Sequence, residues 1–202
     1  MGLQRLLQFR AVDVVVPMAL VAVLIALHLA TPGAMETLRY ERAAVLAGEV
    51  WRLVTGHLVH ADAAHLGWNV LGVLIVGFLF ARDYSPSQWL GILLASLAAT
   101  NLGFLLFEPQ LDWYVGFSGV LHGLMAAGLV AWLRATRDPI TWFVAALFAA
   151  KLAWEHAVGP LPFTAGTLSL PVIHEAHTYG ALGGALAALW LLRRRPPARA
   201  SL

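Results

Sequence analysis

A chain of 202 residues that is 60% hydrophobic and only 12% charged is built for an apolar solvent, because soluble domains carry about a quarter charged residues. The absence of cysteine excludes disulfides, thiolate nucleophiles and cysteine metal sites, and leaves the redox compartment open. The net charge is only +2, and the basic residues stand at the ends of apolar runs rather than along one face, which excludes a nucleic-acid partner.

A membrane-crossing helix needs about 20 mostly apolar residues. The first such run spans 12–30 and is followed by Thr31-Pro32-Gly33. Arg5 and Arg10 before it resemble the start of a signal peptide, yet the run exceeds the roughly 7–15 residues of a signal core, so a retained helix is predicted. The interval 31–62 is too long for a simple helix connection. It is expected to carry structure of its own, with Tyr40 and Trp51 suiting an interfacial element.

The second run, 63–81, is stopped by Arg82-Asp83 and Ser85-Pro86, and the third, 88–107, by Glu108-Pro109. Further runs lie at 117–133, 140–158 and 175–192. The loop 159–171 has three prolines and no charge, and suits a mobile cap over whatever lies beneath. Residues 1–195 thus read as one all-α, six-helix membrane domain, and 196–202 as a short disordered tail.

Basic residues orient it. With the N-terminus cytoplasmic, the inner segments hold Arg5, Arg10, Arg82, Arg134, Arg137, Arg193, Arg194, Arg195 and Arg199. The outer segments hold only Arg39, Arg42 and Arg52. The positive-inside rule then predicts that both termini are cytoplasmic.

Polar residues within membrane spans are costly and point to function. The fourth run opens on Gly116-Phe117-Ser118-Gly119. A serine hydroxyl is a weak nucleophile that needs an adjacent base. A helix start offers unpaired backbone N–H groups to a developing oxyanion. Taken alone, the tetrapeptide is a weak signal and reads first as an N-cap beside packing glycines. The sixth run supplies His177, followed by Gly180 and Gly184, and the fourth run carries Gly119 and Gly123 at the same spacing. Small residues four apart let two helices approach closely, as a serine–histidine pair about 3 Å apart requires.

His65 and Asn69 stand four apart on the second run, hence on one helix face. With the Ser118 amide they could stabilise an oxyanion. His57, His60 and His65 could instead bind zinc or satisfy buried loop carbonyls. No carboxylate shares their spacing, so neither metal nor cofactor is expected. Lys151 and Glu155, also four apart, read as a structural ion pair. Glu175, two residues before His177, is expected on a different helix face, at the water interface. Trp89, Trp142 and Trp154 read as packing or interfacial aromatics.

These motifs resemble the rhomboid intramembrane proteases over nearly the whole chain. Trp51-Arg52 matches the Trp-Arg pair of the family's first loop, and His65-x-x-x-Asn69, with His60 before it, matches its second helix. Gly116-x-Ser118-Gly119 matches the nucleophile motif, and Ala176-His177-x-x-Gly180 that of the base. The resemblance implies a Ser118–His177 dyad without an aspartate, with His65, Asn69 and the Ser118 amide as oxyanion hole. It also implies peptide-bond hydrolysis in or next to a membrane span, with the site facing the outer side. Where many members have an aromatic residue stacking on the histidine, this chain has His122.

Ser118-Gly-Val-Leu-His122-Gly, Lys151 with Glu155, and Glu175-Ala-His177 resemble the rhombosortase branch. That likeness implies a bacterial inner-membrane enzyme, active on the periplasmic side, which removes glycine-rich C-terminal sorting tails. Its substrates would be such tails or single-span membrane proteins. Two rival readings are an inactive client-binding rhomboid-like protein and a small histidine-dependent transporter.

Overall fold

The structure, a computed structural model, describes residues 10–30, 33–136, 138–162 and 166–193. Arg5, Arg137, Arg194, Arg195, Arg199 and the tail 196–202 lie outside the described residues.

Among the described residues, six long helices form the body: α1 (Ala11–Ala30), α5 (Ala63–Phe80), α6 (Pro86–Phe107), α7 (Ser118–Ala135), α8 (Pro139–Ala157) and α9 (His174–Arg193). Four of them, α1, α5, α6 and α7, are long and apolar enough to cross a membrane. Helices α8 and α9 have 19 and 20 residues, but carry Lys151, Glu155 and His156, and His174, Glu175 and His177.

The burial pattern is that of a protein solvated by lipid. Large apolar side chains such as Leu94, Phe107, Phe143, Leu147 and Trp190 face outward, while Ser96, Thr100, Asn101, Glu155 and His177 are buried. Inside, Ser96 and Thr100 return their hydroxyls to the carbonyls of Ile92 and Ser96 on their own helix, at 2.8 and 2.9 Å.

Helix α7 is the central pillar. Its Val120, Leu124, Ala127 and Leu129 meet Leu24, Val73, Phe80 and Ile92 from α1, α5 and α6 in one core. Helix α9 packs against both α7 and α6, its Gly183 lying over Ala95, Ser96 and Ala99. Helix α8 is peripheral and buries only Thr141 and Glu155.

Helix α6 begins two residues before the expected 88 because Ser85-Pro86 starts this helix rather than merely ending the one before. The Ser85 hydroxyl accepts from the Gln88 amide, Gln88 reaches back to the Ser85 N–H, and Pro86 fills the first turn.

The first long loop folds as α2 (Met35–Leu38), β1 (Tyr40–Glu41), α3 (Arg42–Leu46) and α4 (Arg52–Thr55). Strand β1 pairs antiparallel with β2 (Trp113–Tyr114), with Tyr40 opposite Tyr114 and Glu41 opposite Trp113. Tyr40 is therefore not interfacial: it is fully buried against Phe104, with ring centroids 5.4 Å apart. Trp51 remains about half exposed. Trp89 is buried, and its indole donates to the Ala81 carbonyl at 3.1 Å.

Candidate active site

Strand β2 delivers the chain to Gly116, whose φ of +117° is a conformation strained for any residue with a side chain. The Gly116 amide donates to the Gly56 carbonyl at 3.0 Å, tying this turn to the end of α4. The imidazole of His65 covers the same glycine, where a Cβ would stand 2.5 Å from Nε2. Helix α7 then starts at Ser118, whose amide is one of the first-turn N–H groups with no carbonyl one turn earlier.

Ser118 Oγ lies 3.0 Å from His177 Nε2. On its other side the hydroxyl of Tyr114 stands 3.4 Å from Ser118 Oγ and 3.5 Å from the Gly119 amide. Burial pushes the Tyr114 phenol up from its ordinary pKa, so it stays protonated beside Ser118. Tyr114 was not legible as a site residue, because nothing in its sequence position separates it from the neighbouring Trp113.

The serine and histidine meet because α7 and α9 touch through backbone. A Cβ on Gly119 would stand 2.9 Å from the Ala176 carbonyl oxygen, and one on Gly180 would fall on the carbonyl of Gly119. One turn further, Gly184 meets the carbonyl of Gly123 in the same way. The two four-residue glycine spacings thus face one another.

His122 stacks on His177 with ring centroids 4.0 Å apart and planes 14° from parallel. Its Nδ1 stands 2.7 Å from the Ser118 carbonyl. That oxygen can only accept, so Nδ1 carries the proton and Nε2 is an acceptor. The ammonium of Lys151 donates to that Nε2 and reaches Glu155 Oε2 at 2.7 Å. The same carboxylate oxygen lies 2.9 Å from His177 Nδ1. Lys151 and Glu155 are paired, but the pair is one part of a larger cluster. Glu175 turns away and pairs with His174 at 3.2 Å.

Among the described residues, the donors near enough to share a metal ion belong to His122, Glu155 and His177. The Lys151 ammonium stands among these three, in hydrogen-bonding reach of each. The alternative grouping of His57, His60 and His65 does not gather in this way. His57 instead bonds Asn101 Oδ1 at 3.3 Å, and His60 sits edge-on to His65 with ring centroids 5.1 Å apart.

The remaining expected residues divide between the site and its scaffold. His65 and Asn69 line the same cavity as Ser118 and His177. The Asn69 amide, however, donates back to the His65 carbonyl at 2.9 Å, and its Oδ1 is buried without a partner. Arg52 does not line that cavity: it is buried, bonds Glu49 at 2.6 Å, and donates to the carbonyls of Glu36 and Arg39 at 2.8 and 2.9 Å. It knits the first loop together, with Trp51 beside it on the surface.

The cavity measures about 680 Å³, and Ser118, His177 and Lys151 line it together with mainly apolar surface. Leu161, Leu168, Leu170 and Pro171 of the 159–171 loop line it, although 163–165 lie outside the described residues. Two contacts bring this loop onto α5. The Trp68 indole donates to the Thr167 hydroxyl at 2.8 Å, and Ser169 bonds Asp62 through both hydroxyl and amide.

The rhomboid domain family matches residues 47–194, well over half of the chain. The chain belongs to the rhomboid family. It is a multi-pass membrane protein, and its similarities run to rhomboid proteases. Rhomboid protease GluP of Bacillus subtilis is 32% identical over 87 residues, 43% of this chain and 17% of that protein. Rhomboid protease GlpG of Enterobacter sp. is 30% identical over 91 residues, 45% of this chain and 31% of its own. GlpG of Salmonella newport is 30% identical over 95 residues, 47% of this chain and 33% of its own. This rhomboid spans less than half the length of each of these relatives.

Proposed function

We propose that this rhomboid is an intramembrane serine endopeptidase in which Ser118 is the nucleophile and His177 the general base. The observation that carries the reading is the 3.0 Å approach of Ser118 Oγ to His177 Nε2 in the lining of a largely apolar cavity. The Ser118 oxygen bonds to the scissile carbonyl carbon while its proton passes to Nε2, and the carbonyl electrons move onto oxygen. The Ser118 amide, His65 and Asn69 are the oxyanion donors, Asn69 through the second N–H of its amide. As the C–N bond breaks, His177 returns the proton to the leaving amine. Water then attacks the acyl-enzyme, giving its proton to His177, which reprotonates Ser118 as the acid leaves.

All six long helices cross the bilayer in this reading, with both termini cytoplasmic and the site open to the outer side. Residues 1–195 are the working unit. Helices α8 and α9 qualify because their polar residues Lys151, Glu155 and His177 turn inward while Trp142, Phe143, Leu182 and Leu186 face outward. Substrates are single-span membrane proteins or C-terminal sorting tails of the kind implied by the rhombosortase likeness, in a bacterial inner membrane. Glycine near the cut weakens the helix that otherwise shields a peptide bond.

The test is cleavage of membrane-tethered reporters with glycine-containing C-terminal tails. Wild type should cut, and Ser118→Ala and His177→Ala should not, while both variants insert normally. A Ser118→Ala variant that cuts as well as wild type would sink the mechanism.

A further inference from the structure

The hydrogen bonds around His177 admit one self-consistent proton assignment, and it gives Glu155 a role beyond ion pairing. For Nε2 to accept from Ser118 Oγ at 3.0 Å, the proton of the neutral ring must sit on Nδ1. Two groups lie near Nδ1: Glu155 Oε2 at 2.9 Å and Lys151 Nζ at 3.2 Å. An ammonium has protons only to give, so bonding to it would leave Nδ1 bare and move the ring proton to Nε2. That tautomer cannot take the serine proton. Only the carboxylate selects the productive one.

The surroundings hold the carboxylate in that role. Lys151 gives one proton to Glu155 Oε2 at 2.7 Å and another to His122 Nε2. His122 is fixed as an acceptor there because its Nδ1 donates to the Ser118 carbonyl at 2.7 Å. Thus two of the three ammonium protons go to Glu155 and His122, and the buried Glu155 side chain lies beside a cation. The circuit closes on the residue where it began, from Ser118 through His177, Glu155, Lys151 and His122 back to Ser118.

We infer that Glu155 is a positioning residue for the reaction: it holds His177 with the proton on Nδ1 and stabilises the imidazolium formed when Ser118 attacks. Lys151, itself held by His122, keeps the carboxylate aimed. This inference rests on the protease reading above. It replaces a two-residue centre with a Ser118–His177–Glu155 line in which the third member comes from the peripheral helix α8.

The test compares Glu155→Gln and the double variant Glu155→Gln/Lys151→Met with wild type in the reporter assay, with Ser118→Ala alongside. A glutamine amide can donate to Nδ1 as readily as accept from it, so the tautomer is no longer fixed. We expect kcat to fall at least about 100-fold with KM nearly unchanged. The double variant separates the roles. A buried ion pair that only braces the fold can be replaced by two neutral residues with little loss, whereas a positioning carboxylate cannot. Persistent loss of kcat in a double variant that melts near the wild-type temperature supports the inference, even if Glu155→Gln alone folds poorly. A double variant with kcat within about 10-fold of wild type overturns it and leaves the Ser118–His177 pair intact. Cleavage by Ser118→Ala would instead overturn the protease reading itself.

Discussion

The carbonyl of Gly119 occupies the place where a side chain on Gly180 would begin. Helices α7 and α9 are in backbone contact at this point, one residue past Ser118 and three past His177.

Gly180→Ala should therefore cost both stability and activity. The methyl has to push the helices apart, a kind of overpacking that costs about 1–3 kcal/mol, and the displacement opens the 3.0 Å gap between Ser118 and His177. Thermal unfolding in detergent should shift downward, and labelling of Ser118 by a fluorophosphonate probe should slow. A variant that melts lower yet labels at the wild-type rate would show that the close approach serves packing alone.

Asp62 joins two jobs, capping α5 through the His65 amide at 2.7 Å and receiving Ser169 from the loop over the cavity. The Ser169 hydroxyl first, and the His65 amide second, hold this carboxyl below its usual pKa. A depressed carboxyl contributes stability above its unfolded value that is lost as pH falls through the folded one. The loop contact should thus persist at neutral pH and weaken below the ordinary carboxylate range. Asp62→Asn keeps a competent helix cap but removes the charge. At pH 7 it should speed hydrogen exchange of the Ser169 amide, and the difference from wild type should vanish in acid. Equal exchange at pH 7 would mean that the carboxylate does not hold the loop.

His57 is fully buried between Phe104 and Tyr114, and burial lowers it to about 4 although Asn101 partly offsets the effect. Buried His60 is lowered to about 3, again chiefly by burial. Between these values and the unfolded value of about 6.5 the unfolded chain binds more protons, so stability falls as pH drops. Melting temperature should be level above about pH 7 and decline from pH 6.5 toward 4. His57→Gln retains a donor for Asn101 without titrating, and should flatten part of that decline by up to about 3 kcal/mol at the acid end. An unchanged slope would remove His57 from the account.

The apolar runs announced the long helices because length and hydropathy alone decide what a bilayer accepts. The matching glycine spacings on α7 and α9 likewise showed in the sequence which two helices could bring Ser118 and His177 together. What stayed hidden depends on register between elements. Lys151 and Glu155 are visibly one helical turn apart, but nothing local says at which depth α8 meets α9, so the Glu155–His177 contact was out of reach. Tyr40 looked like an interfacial aromatic until its strand paired with a segment 74 residues away. His65 and Asn69 share a face as their spacing requires, yet the Asn69 amide turned to its own helix, an option that spacing cannot exclude.

The short ribbon between the first long loop and the approach to Ser118 bears on where this protein can be cut. The family match begins at residue 47, but Tyr40 and Glu41 lie before it, and so do the Glu36 and Arg39 carbonyls that receive Arg52. A fragment trimmed to the matched boundary would keep every candidate catalytic side chain and lose the strand that braces Tyr114 beside Ser118. Expression truncations should therefore start upstream of α2, since the shortest recognisable sequence and the shortest stretch that keeps the site braced are different lengths of chain.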